Sequence, residues 1–175
     1  MTALPRRTED ADVTEDTIPT QDETHARIRD LLADVAEVLL DVQPALHRFV
    51  DHQPERDRPS GGSWHGLQTH CHVSALLAAE GDPEPGEHVT DELLGAVARF
   101  ADAHAMDHRS SQDAVGVRGA TWTSIDGDLL EVQVGVRVLL RAVSAPFLPG
   151  SLAVPTTTSP VSAISPLTPP PRLVR

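Results

Sequence analysis

The stretch DGDLLEVQVGVRVLLRAV, residues 126–143, decides the fold. Leu130, Val132, Val134, Val136, Val138 and Leu140 fall at every second position, with Glu131, Gln133, Arg137 and Arg141 between them. Side chains alternate between the two faces of a strand, so a period of two predicts a strand buried on one side. Asp126-Gly127 just before it is a hairpin-turn signal. The partner strand is expected over residues 114–124, where Val115, Val117, Thr121, Trp122 and Thr123 alternate and Gly116 and Gly119 weaken the strand or mark a bulge.

An apolar ribbon face needs a cover, and two helical patterns upstream supply it. Thr20-Gln21-Asp22-Glu23 fits a capping box, a threonine followed three residues later by glutamate. Ile28, Leu31, Leu32, Val35, Leu39, Val42, Leu46 and Phe49 then recur at spacings of three and four, one stripe on a helix of about five to seven turns that Pro44 ends or kinks. The other face carries Arg27, Asp30, Asp34, Glu37 and Asp41. A second helix is expected from Thr90 as N-cap, with Asp91 and Glu92 in the dipole-favoured first turn. Leu93, Leu94, Val97, Phe100, Ala101 and His104 form its buried face, and it ends near residues 106–108.

Residues 51–62, with Pro54, Pro59 and Gly61-Gly62, predict a loop. The stretch WHGLQTHCHVSALLAA, residues 64–79, predicts a strand over about 67–77, followed by the turn-rich acidic loop EGDPEPGEH. The expected architecture is α+β, with two amphipathic helices packed on one face of a small, mainly antiparallel sheet. Its core is built from leucine, valine and alanine. The expected organisation is a disordered acidic arm over 1–20, an α+β domain over 21–145 and a disordered Pro/Ser/Thr-rich tail over 146–175, which holds more than half of the fifteen prolines. Arg6-Arg7 is followed by no apolar region of the kind a secretory signal needs, and Pro169-Pro170-Pro171-Arg172 is expected to be an unstructured end, not a proline-rich ligand.

Composition narrows the function classes. A length of 175 residues suits one domain, and a formal charge of -12 excludes a non-specific nucleic-acid binder, which needs a basic footprint. The single cysteine excludes an intrachain disulfide framework and a four-cysteine zinc site. No apolar run is long enough to cross a bilayer. Lysine, asparagine and tyrosine are absent, as expected of a high-GC bacterial genome, so the arginines alone do not signal phosphate recognition.

Nine histidines raise a metal alternative. His70 and His72 share a face if their segment is a strand, and His104 and His108 share a face if theirs is a helix. Zinc would be the cofactor, held by these four; otherwise no cofactor is expected. His25, His47, His52, His65 and His88 lie in exposed-looking sequence. A histidine-based pH sensor is a third option. Ser63 and His65 in GGSWHG miss the G-x-S-x-G spacing of a nucleophile elbow. The acidic run Glu80, Asp82, Glu84 and Glu87 lacks the ligand alternation of a calcium loop. Cys71, beside two histidines, is expected to be a small buried apolar residue.

With no complete catalytic set, the leading expectation is a non-catalytic domain that binds a protein or another surface, through exposed residues beside the sheet: Trp64, Trp122, Arg137 and Arg141. The alternative is a metal-binding protein or metal-dependent enzyme using the histidines.

Three stretches, RIRDLLADVAEVLLDV (27–42), VTDELLGAVARFADAHAMDH (89–108) and DGDLLEVQVGVRVLLRAVSAPFLPG (126–150), resemble the LppA-like family of actinobacterial lipoproteins of unknown function. The resemblance spans about 120 residues and implies an exported chain with a signal peptide, a lipid-modified cysteine and further cysteines. Here Cys71 stands alone and no lipobox is present. The expected location is cytoplasmic as the sequence stands, or the envelope if a leader precedes it.

Overall fold

A computed structural model describes residues 18–150. The expected arms at 1–20 and 146–175 therefore fall mostly outside the described residues.

Helix α1, Gln21–Val42, begins at the capping box: the Glu23 N–H donates to Thr20 Oγ1 at 3.3 Å and the Thr20 N–H donates back to Glu23 Oε2 at 3.0 Å. It ends before Pro44, and the apolar residues beyond it continue the core from other elements, with Leu46 buried in the turn and Phe49 partly buried in strand β1, Arg48–Gln53. Strand β2, Arg56–Trp64, follows and pairs with β3, Leu67–Val73, while β1 pairs with β4, Leu76–Glu80. Residues 51–62, expected as a loop, thus lie largely in strands. Their side chains are mostly exposed, so no hydrophobic alternation marks them.

The strand expected over 67–77 is two strands, β3 and β4, broken at Ser74-Ala75. Two hydroxyls bridge the break: Ser74 Oγ accepts from the Ala142 N–H at 3.0 Å and Ser144 Oγ accepts from the His72 N–H at 2.8 Å.

Helix α2, Glu87–Ala103, starts four residues earlier than expected, with Gly86 as N-cap in place of Thr90 and without a side-chain cap, and stops before Met106. From there β5, Met106–Ala114, and β6, Val117–Ser124, form a long hairpin. The run from Leu130 to Leu140, expected as one strand, is also two: β7, Leu129–Val134, and β8, Val138–Val143. A three-residue turn joins Val134 to its partner Val138 without changing the parity of the alternation, and Val136 sits in that turn, 82% exposed.

All the strand pairs are antiparallel, in the order β1-β4-β8-β7-β6-β5, with β3 joining β8 through Val73 and Val143 and carrying β2 on its other side. Among the described residues, two helices and an eight-stranded sheet make an α+β fold. Leu130, Val132, Val134, Val138, Leu140 and Ala142 point into one core with Ile28, Val35 and Leu39 of α1 and Leu93 and Val97 of α2. Their sequence neighbours Glu131, Gln133, Leu139 and Arg141 are half-buried on the opposite face. Both helices therefore cover one face of the sheet and leave the other face uncovered. Packing continues past β8, with Ala145, Phe147 and Leu148 buried and Phe147 bridged to His70.

Candidate functional site: a part-buried His–Asp–His cluster and an uncovered sheet face

Asp57 on β2 and His72 on β3 are directly opposed in the ladder, which brings their side chains together on one face. The first turns of α1 lay His25 over them. The His72 Nδ1–H donates to Asp57 Oδ1 at 2.7 Å, and the His25 Nε2–H lies 3.0 and 3.1 Å from the two carboxylate oxygens. The two imidazoles are themselves close, with ring centroids 3.9 Å apart. Gln21, one turn before His25, donates from Nε2 to Asp57 Oδ2 at 2.8 Å. Beyond His72, the Glu55 carboxylate stands 3.5 Å from Nε2. Phe147, fully buried, closes one side and meets the His25 ring edge-on at 5.8 Å.

His72 is buried, while the side chains of His25 and Asp57 are about one quarter exposed. Burial pushes the Asp57 carboxyl toward the neutral form, but the hydrogen bonds and nearby charge of His72 and His25 outweigh it and hold the group below the usual carboxylate range. Among the described residues, these three form the group of His, Cys, Asp or Glu whose donor atoms all lie within 4.8 Å of one another.

The four histidines expected to share a metal are not gathered. His70 and His72 are two apart on β3, as a common face requires, but His70 leans on Phe147 and its Nδ1 is buried without a partner. His104 does not share a helix face with His108. It is the C-cap of α2, its Nδ1 donating to the Phe100 carbonyl at 2.8 Å, whereas His108 lies in β5 and bonds Ser111 at 2.9 Å. The cluster instead recruits His25 and Asp57, which carry no local signal: one belongs to the exposed-looking start of a helix, the other to a stretch that resembles a loop. Cys71 is buried, as expected, and its Sγ accepts from Arg58 Nε on the opposing strand at 3.4 Å.

Of the partner-contact candidates, Trp122 is a correction. It faces the helices and is 2% exposed, because its parity in β6 is that of the core-facing row. Trp64 is half-buried at the end of β2, with its ring against His65. Arg141 lies on the uncovered face, bonded to Glu131 at 2.6 Å, and Glu131 also accepts from Gln133 at 2.8 Å. Arg137 is exposed in the turn between β7 and β8. Next to it, Ala78, Val117, Val136 and Leu139, with His52 and Gln133, line a groove of about 370 Å³ on the uncovered face.

No family model matches the chain, and no curated protein matches it. Among solved structures, it is similar to a DUF4853 family protein from Actinomyces odontolyticus ATCC 17982, known from a crystal structure at 2.65 Å resolution. The two share 17% identity with a TM-score of 0.51, and the match covers 76% of this chain and 71% of the other. That likeness is one of fold. It joins this chain to an actinobacterial structure of the same architecture and assigns no chemistry to either the cluster or the groove. Among the described residues, no helix is long and apolar enough to cross a membrane.

Proposed function

We propose that this chain is a non-catalytic binding domain whose uncovered sheet face receives a segment of a partner protein. The supporting observation is the groove beside the β7–β8 turn. Its floor is apolar, formed by Ala78, Val117, Val136 and Leu139, and Arg137 stands at its edge. Val117 and Val136 are exposed large apolar residues, 41% and 82% respectively, side by side at one end of the sheet. Among the described residues, Arg27, Arg48, Arg118 and Arg141 are engaged in ion pairs with acids; of the arginines that are not, Arg29, Arg56, Arg58, Arg99, Arg109 and Arg137, it is Arg137 that lines the groove. The occupant that fits is an apolar side chain flanked by a carboxylate, which would fill the groove and pair with Arg137.

The LppA-like resemblance of the three sequence stretches fits this reading. The fold likeness to an actinobacterial protein is compatible with that resemblance. A photo-crosslinking residue in place of Val136, in the protein expressed in its own host, tests the face. The reading predicts a discrete adduct that is lost on Arg137→Glu and that does not form when the crosslinker replaces Glu37, on the solvent side of α1. Equal adducts from both positions, or an adduct indifferent to Arg137→Glu, would refute it.

A further inference from the structure

We infer that His25, Asp57 and His72 form a binding site for one divalent first-row transition ion, with zinc the best fit. Two imidazole nitrogens and one carboxylate oxygen are the donor set that suits zinc and its neighbours in the first transition row. The spacing suits it as well. Ligands about 2.0–2.2 Å from a tetrahedral ion lie roughly 3.3 Å from one another. The Asp57 oxygens already stand 2.7 to 3.1 Å from the two ring nitrogens, so small outward movements make room for the ion. The cation then takes the place of the ring N–H hydrogens at these contacts: each imidazole binds through a bare nitrogen as the neutral ring, with its one proton on the other nitrogen, which for His72 is Nε2, facing Glu55.

The surroundings of the cluster carry the argument further. A metal-bound histidine is normally oriented by a carboxylate on its other ring nitrogen, and Glu55 is placed on His72 Nε2, at 3.5 Å, on the side away from Asp57. A metal-bound carboxylate is normally held through its second oxygen, and Gln21 holds Asp57 Oδ2 while Oδ1 faces both imidazoles. The His25 ring is set by the edge of Phe147. Each of the three ligands therefore has its own outer support, drawn from three different segments of the chain. The partial exposure of His25 and Asp57 leaves one side of the site open, where water or a ligand atom of a partner completes the coordination.

The test is titration of the full-length, chelator-treated chain with Zn2+ by calorimetry and with Co2+ by its ligand-field absorption. One ion per chain is expected, with a tetrahedral Co2+ spectrum. Because His72 is buried, the informative variants are His25→Ala and Asp57→Asn, each checked for native circular dichroism. Each should weaken binding by on the order of 100-fold. A combined His70→Ala, His104→Ala and His108→Ala variant should bind like the wild type. Absence of stoichiometric binding by the wild type, affinity unchanged in both His25→Ala and Asp57→Asn, or loss of binding in the combined variant would each overturn the assignment.

Discussion

Asp128 is the residue whose removal tests the packing of this fold most sharply. It is 4% exposed, just before β7, and accepts three hydrogen bonds: Arg27 Nε at 2.7 Å, an Arg27 terminal nitrogen at 3.0 Å, and the Ala145 N–H at 2.7 Å. It thereby ties α1, the start of β7 and the segment after β8 to one carboxylate. In Asp128→Ala the Ala145 N–H is left buried and unpaired, which costs about 1–3 kcal/mol. The Arg27 side chain is 37% exposed and can turn to water, so its lost ion pair adds only about 0–1 kcal/mol. The expected total is about 1–4 kcal/mol. Asp128→Asn keeps an acceptor for Ala145 and should cost about 1 kcal/mol, and Arg27→Met, which leaves the carboxylate bonded to Ala145, no more than about 1 kcal/mol. Equilibrium urea unfolding, followed by the fluorescence of the buried Trp122, measures all three. An Asp128→Ala cost equal to or below that of Arg27→Met would refute the assignment of the main effect to the stranded backbone donor.

Three further outcomes follow from single sites. The Thr20 backbone N–H, and then its hydroxyl, hold the Glu23 carboxyl below its usual range. Because the folded value is the lower one, this cap stabilises α1 fully above the unfolded-state pKa of about 4.3 and loses its contribution as pH falls through the folded value. Amide exchange at the start of α1 should therefore rise on acidification, and Glu23→Gln should flatten that dependence. Gly81→Ala meets two obstacles, a φ of +91° and a Cβ that would run into the Ala45 carbonyl oxygen, whereas Gly116, at φ +77°, has nothing within 4 Å. The first should cost about 2 kcal/mol or more in urea unfolding and the second only about 1 kcal/mol, and equal costs would contradict the close approach of β4 to the turn after α1. Cys71, 7% exposed, should react with a thiol reagent only at the rate of opening, and fast modification under native conditions would place it elsewhere.

The elements that could be recognised in the sequence are those whose burial is one-sided. The capping box and the three-and-four spacing mark α1, and the alternation from Leu130 to Leu140 marks the core-facing row of β7 and β8. The same alternation conceals the turn between them, because a three-residue connection returns Val138 to the face of Val134. Strands β2 and β5 left no mark, since RDRPSGGSW and MDHRSSQDA expose nearly every side chain and are held by backbone ladders to β3 and β6. For the same reason the cluster was hidden. Asp57 lies in one of those unmarked strands, and its pairing with His72 is a property of register. His25 reaches them only because α1 starts over that hairpin. Arg137 and Arg141 could be placed beside the sheet from the sequence. Trp122 could not, because an alternating strand shows two faces but not which one the helices cover.

Everything placed on the free face depends on helices covering one side of the sheet only, and methyl resonances in the presence of a soluble paramagnetic agent test this most directly. Leu139 and Leu140 are adjacent in the chain, yet the first is half-buried on the uncovered face and the second is fully buried under the helices. The account predicts strong broadening of the methyls of Val117, Val136 and Leu139, with those of Leu130, Val132 and Leu140 spared. Equal protection of Leu139 and Leu140 would contradict it.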